Sequence, residues 1–271
     1  MKIKIISILF ISSVLFCIAQ DVLLLPFDAT ALTSEQKAIN PDYRAYPTAL
    51  EDSMPIIICN DDLPDCMEVV DLGLSVKWAS CNVGAKYPED FGDYFAWGET
   101  EPKEIYDWNT YKWCEGTSTT LTKYNTISSD GTVDNKTVLE PEDDAATANW
   151  GGAWRMPTDA EMTELREQCT WTWTTQNGVN GYRVMSKSNG NSIFFPAAGR
   201  RYISSDTTPI MDVGYYRSSS LRYIDDHNDY AWNLLFTSGQ VLRGVHSRSY
   251  GLVVRPVINT QRIAKVETKS L

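Results

Sequence analysis

The sequence predicts a β-rich α+β domain beginning near Val69, and three observations predict it. From Val69 onward, short apolar runs of strand length recur between clusters of Gly, Asn, Asp and Ser. Only two stretches carry the capping residues and spacing of a helix. All nine tryptophans fall between Trp78 and Trp232, so the bulk that fills a core belongs to this part of the 271 residues. The length suits one long domain rather than two.

Taken in order, residues 69–72 and 74–83 read as strand, kink at Gly73, and strand. Residues 93–97 and 182–186 follow the same logic. Residues 192–196 come after the turn sequence Ser188-Asn-Gly-Asn191, which predicts a hairpin with the strand before it. Residues 230–236, 241–243 and 252–257 complete the strands. The clearer helix opens at Pro157-Thr158: Thr158 caps it, Glu161 completes a capping box, and Met162, Leu165 and Cys169 then share a face. A second helix over 142–149 starts on acidic residues, which favour the positive end of its dipole, and stops at Trp150-Gly151-Gly152. In a strand, alternation puts Trp171 and Trp173 on one side and divides Tyr215 from Tyr216.

The first nineteen residues have the form of a signal peptide. Lys2 and Lys4 precede an apolar run over 5–18 that is too short for a transmembrane helix, and Ala19 supplies a small residue before Gln20. The expected location is the cell surface, the extracellular space or the periplasm. The alternative is lipid attachment at Cys17, which the bulky Phe16 disfavours. Residues 20–68 hold Pro26, Pro41, Pro47, Pro55 and Pro64, no tryptophan and only short apolar patches, the pattern of an extended segment or tether. Residues 258–271 form a C-terminal tail. No mature stretch is apolar for long enough to span a membrane.

Removing Lys2 and Lys4 from the 24 basic residues leaves 22 against 35 acidic ones, about −13 for the mature chain. Such a chain repels phosphate backbones and anionic lipid, which excludes nucleic-acid and peripheral-membrane roles. Five cysteines remain, an odd number, with no metal-ligand spacing. Cys59 and Cys66 bracket a short polar loop and could close a local disulfide. Cys81, Cys114 and Cys169 read equally well as small buried residues.

Catalytic signals are sparse. A Ser-His-Asp device would need His227 or His246 beside a serine such as Ser218, Ser219 or Ser220, and no GxSxG elbow occurs. Acidic residues are plentiful enough for a carboxylate pair, but their separation is invisible in sequence. Asp143-Asp144 and the run 225–229 are oxygen-rich without matching an EF-hand loop, so no metal and no cofactor are expected. The candidate binding residues are aromatic: Trp97, Trp108, Trp113, Tyr215 and Tyr216, which suit sugar rings or a protein anchor wherever they reach a surface.

Five blocks of the chain resemble a known family. They are Val70-Asp-Leu-Gly-Leu-Ser-Val-Lys-Trp-Ala-Ser-Cys-Asn-Val-Gly84, Gly92-Asp-Tyr-Phe-Ala-Trp-Gly-Glu-Thr100, Trp150-Gly-Gly-Ala-Trp-Arg-Met-Pro-Thr158, Phe195-Pro-Ala-Ala-Gly199 and Val254-Arg-Pro-Val257. In order and spacing they look like the Fibrobacter succinogenes major paralogous domain, covering residues 69–257. The resemblance implies secreted or surface proteins of Bacteroidetes-like bacteria and a C-type-lectin-like fold, similar in outline to formylglycine-generating enzymes. It does not carry over their activity, because the paired active-site cysteines have no matching block. Nor does it carry over a Ca²⁺-lectin site: Glu101-Pro102-Lys103 lacks the amide and Trp232-Asn233-Leu234 the acid. Met162 and Arg217 stand where the family has Trp. Within the N-terminal segment, Asp52-Ser53-Met54 resembles the acceptor for O-glycosylation in Bacteroides-type envelopes, against the alternative of a chance tripeptide.

The expected function is a non-catalytic recognition module that binds an extracellular glycan or protein through an aromatic, loop-rich face. A structural subunit of a surface appendage and a carboxylate-dependent enzyme acting on envelope polysaccharide are the alternatives. Arg217 beside the two tyrosines is expected to point outward, toward an acidic sugar or a partner's carboxylate; the alternative is an internal ion pair.

Overall fold

The computed structural model describes residues 5–11, 14–22, 68–202, 212–223 and 227–259, the first two stretches by their backbone alone. It divides into two compact units, Met1–Asp62 and Leu63–Leu271. In the first, β1 (Ile5–Ile11) and β2 (Val14–Val22) pair as an antiparallel hairpin over the apolar N-terminal run. Ser53, Cys59 and Cys66 lie outside the described residues, as do nearly all of the expected tether and the end of the C-terminal tail.

The second unit is β-rich α+β with many loops and, among the described residues, two α-helices, as the turn-punctuated pattern predicts. Its strands are β3 (Val69–Val70), β4 (Val76–Ala79), β5 (Tyr94–Phe95), β6 (Cys169–Gln176), β7 (Val179–Ser186), β8 (Ser192–Pro196), β9 (Val213–Leu221), β10 (Tyr230–Thr237), β11 (Gln240–Ser247), β12 (Leu252–Val253) and β13 (Val257–Asn259). They form a five-stranded sheet in the order β11-β10-β9-β12-β5 and two three-stranded sheets, β13-β4-β3 and β6-β7-β8. Among the described residues no helix is long and apolar enough to cross a membrane.

Local chemistry sets most of these elements. The β7–β8 hairpin forms across the predicted turn. The β6–β7 hairpin turns on Asn177 (φ 47°) and Gly178 (φ 84°), with Gln176 paired to Val179. Two positive φ angles in a two-residue loop are what an Asn-Gly hairpin turn provides. The expected single strand over 252–257 is instead two strands in different sheets. Pro256 has no N–H for a ladder, and Arg255 turns inward between them.

Helix α1 (Ala145–Trp150) is capped by Asp144, whose carboxylate accepts from Thr147 N at 2.9 Å, and Gly151 at φ 65° ends it. Helix α2 (Asp159–Gln168) carries the predicted capping box: Thr158 Oγ1 accepts from Glu161 N at 3.3 Å, and Glu161 Oε2 accepts from Thr158 N at 2.8 Å. Arg155 grips the same carboxylate at 2.6 and 2.8 Å. Met162 and Leu165 are buried as expected, but Cys169 has left the helix, ending α2 and beginning β6.

The main core lies between α2, the β6–β8 sheet and one face of the five-stranded sheet. Trp171 and Trp173 share a side as predicted, both meeting Tyr182 and Phe236. Phe236 also stacks on Tyr216, and the lack of a side chain at Gly214 leaves room for its ring. Cys114 and Cys169 are free thiols, and burial pushes the Cys169 thiol up to about 11. Cys81 is disulfide-bonded, its partner lying outside the described side chains.

Candidate functional site

The tyrosine pair divides across β9 as alternation requires. Tyr216 is fully buried in the core, where its hydroxyl donates to Pro196 O at 2.7 Å. Tyr215 lies on the opposite face, its ring 4.6 Å from that of His246 on β11. That face also carries Arg217, paired in register with Asn233 of β10, which is in turn opposite Gly244.

Arg217 corrects the expectation. It is 0 % exposed, so it does not point outward, and no carboxylate pairs with it among the described residues, so it is not an internal ion pair either. Its Nη2 donates to Ser247 O at 3.0 Å and Tyr250 O at 2.6 Å, while Nε and Nη1 are buried without any acceptor. Burial, with the charge of Arg248 adding to it against Tyr111, lowers its pKa to about 9, which leaves the group charged at neutral pH.

Two other buried arginines show how unusual this is. Arg248 donates to Tyr111 Oη, Tyr124 O, Asn228 O and Lys123 O, and Arg255 to Asn82 Oδ1, Ala79 O, Ser80 O and Phe194 O. Both use all three guanidinium nitrogens to tie loops together. Arg217 uses one.

Around it gathers a second cation. Arg200, just after β8, places its guanidinium carbon 5.0 Å from the Tyr215 ring centre, 5.1 Å from Tyr202 and 5.7 Å from Tyr250. Tyr202 and Tyr250 are themselves stacked, 5.3 Å apart at 26°, and Tyr202 is 44 % exposed. Arg200 Nη1 donates to His246 Nε2, and its buried Nε has no acceptor. An arginine cannot give up its proton here, so His246 Nε2 must be the acceptor. The ring proton then sits on Nδ1, facing Asn233 Oδ1 at 3.3 Å. Burial and the charges of Arg217 and Arg200 push the His246 pKa down to about 3, so the imidazole is neutral. The cluster thus holds two guanidinium charges, a neutral histidine and three tyrosines, with no acid paired to either cation among the described residues.

The remaining expected residues lie elsewhere. Trp97 is fully buried and donates to Ser218 O at 3.0 Å, so it offers no face to a ligand. Trp108 packs edge-on against Tyr111 at 5.4 Å, and Trp113 edge-on against Tyr124 at 6.2 Å, beneath the ammonium groups of Lys112 and Lys123. Of the six residues expected to bind ligand, only Tyr215 and Arg217 come together in the cluster. Sequence reasoning missed Arg200, Tyr202 and Tyr250, and weighed His246 only as a catalytic histidine. The adjacent Arg200-Arg201-Tyr202 was a legible basic and aromatic signal, but nothing local tied it to Tyr250.

Other chemistry is accounted for. The hydroxyls of Ser218 and Ser219 donate to Trp232 O and Pro157 O, and that of Ser220 accepts from Asp159 N, so none of them meets a histidine. Glu140, Glu142 and Asp143 converge, but the Lys123 ammonium sits among them, 2.6 Å from both Glu140 and Asp143. Asp144 is spent on the α1 cap and on Met156 N, while Asp225 and Asp226 lie outside the described residues. An open cavity of about 560 Å³ between β3 and the β7–β8 edge is lined by Glu68, Asp71, Arg183 and Ser192. Its charged side chains are solvent-exposed, and Asp71 is paired with Lys77 at 3.3 Å.

No family model, curated protein or solved structure matches this chain.

Proposed function

We propose that this chain is an exported, cell-surface or secreted recognition module with a C-type-lectin-like fold of the Fibrobacter succinogenes major paralogous domain type. It binds an extracellular glycan or protein without transforming it. The aromatic cluster around Arg200 carries the reading. Tyrosines with an exposed edge, held by a cation and backed by a rigid sheet, form a surface on which sugar rings or a partner's side chains stack. Nearby polar groups serve positioning: His246 is locked as a neutral acceptor, and Ser218 to Ser220 are bonded to backbone.

A glycan array probed with the full chain tests this reading. Retention on a defined glycan class, lost on replacing Tyr202 and Tyr250 together by Ala, supports it. Concentration-dependent self-association with no glycan retained points to the assembly subunit, and release of reducing ends from a bound polysaccharide to the enzyme.

A further inference from the structure

We propose that Arg200 receives the carboxylate of an acidic sugar, with the pyranose ring laid against the exposed part of Tyr202. This rests on the recognition reading and gives it a ligand chemistry.

Four observations carry it. Arg155, Arg166 and Arg243 each hold a carboxylate within 3.1 Å, whereas Arg200 and Arg217 have none among the described residues. In a chain of net charge −11 with 35 acidic residues, these two neighbouring guanidinium groups have no carboxylate among the described residues and, unlike Arg248 and Arg255, are not saturated by neutral acceptors. Arg217 is wholly buried with Nε and Nη1 unpartnered, and the nearby Arg200 Nε is likewise buried and unpartnered. Buried donors are nearly always satisfied, so two such guanidinium groups side by side leave positive charge that an anion at the partly exposed Arg200 balances. Finally, His246 takes only Nη1 of Arg200, and the tyrosine rings hold the guanidinium plane in place. The remaining nitrogen, Nη2, is therefore held in advance for a carboxylate oxygen in a charge-assisted hydrogen bond.

The aromatic setting selects a sugar over an acidic peptide. A glutamate side chain offers little beyond its carboxylate, whereas a uronic acid adds a flat face of C–H groups. Tyr202, stacked on Tyr250 and 44 % exposed, presents a rigid surface of matching size beside the cation.

The test is calorimetric titration of the full chain with trigalacturonate, with its methyl ester and with poly-glutamate. Trigalacturonate should bind, and esterification or Arg200→Gln should each weaken it by about tenfold or more, the loss of one charge-assisted pair. The melting temperature of R200Q should stay near that of the parent. If R200Q does not fold, Tyr202→Ala takes its place, and trigalacturonate binding retained in Y202A overturns the proposal. Equal binding of ester and acid, or binding indifferent to R200Q, overturns the acidic-sugar assignment while leaving glycan recognition standing. Binding of poly-glutamate in preference to trigalacturonate makes the occupant an acidic peptide and also overturns it. Failure of every glycan, on the array and in the calorimeter, overturns both readings together.

Discussion

Replacing each fully buried arginine by methionine should separate the loop clamps from the cluster. Methionine keeps most of the length and none of the charge, so each variant reports what the guanidinium contributes to folding. Arg255→Met removes four hydrogen bonds and leaves Ala79 O, Ser80 O, Phe194 O and Asn82 Oδ1 without that donor. At roughly 1–3 kcal/mol for each buried acceptor left open, offset by the desolvation cost of the cation that is relieved, the net loss should be about 3–5 kcal/mol. Arg248→Met strips four bonds in the same way and should fall in the same range. Arg217→Met breaks only the two bonds from Nη2, and it also removes a charged group whose Nε and Nη1 are buried without acceptors. Relief of that unmet desolvation should cancel most of the loss, leaving a change within about 1 kcal/mol of zero. Urea unfolding followed by tryptophan fluorescence measures all three. A cost for R217M equal to that for R255M would refute the reasoning, because it would mean that Arg217 is satisfied in solution.

Protonation of His246 should make stability fall with acid. Its folded pKa of about 3 lies below the ordinary value of 6.5, so the unfolded chain takes up the proton first. The stabilising contribution is therefore complete above pH 6.5 and drains away as pH falls toward 3; a His246→Gln variant whose unfolding free energy falls as steeply as the parent's across that window would contradict it. Thr158→Ala should cost about 0.5–2 kcal/mol by removing half of the α2 capping box, read as a shift in urea midpoint; a neutral result would place the helix start elsewhere. Peptide mapping without reductant should recover Cys81 cross-linked and the buried Cys169 alkylated only after unfolding; a labelled Cys81 would count against the disulfide.

Those parts of the fold governed by neighbours in sequence were legible. Thr158 and Glu161 announce a capping box because both partners lie within one turn. The side shared by Trp171 and Trp173, and the split of Tyr215 from Tyr216, follow from alternation alone. The Asn177-Gly178 hairpin carried the same kind of local signal, yet β7 was expected to begin only at Tyr182. The site was far less legible. Arg200 meets Tyr215, Tyr250 and His246 only after the β8 end, β9 and β11 are brought together, and no spacing encodes that. Arg217 was singled out but given the wrong direction. Strand parity leaves two faces, and only the assembled domain shows that both are covered.

The sheet that joins the two ends of the domain has a consequence for when folding can happen. Trp78 on β4 is flanked by Val70 and by Val257, so its last partner is made about a domain's length after it. Arg155 waits for the same strand, bridged to Val257 in both directions, and the β4 loop and β8 are tied by Arg255. A chain emerging in order from its N-terminus holds none of these closures until its final strands appear, and contacts of such long sequence separation form slowly. On the proposed exported reading, that delay keeps the polypeptide threadable through a secretion channel. On the same reading, the latch that finishes the fold crosses after the rest of the domain.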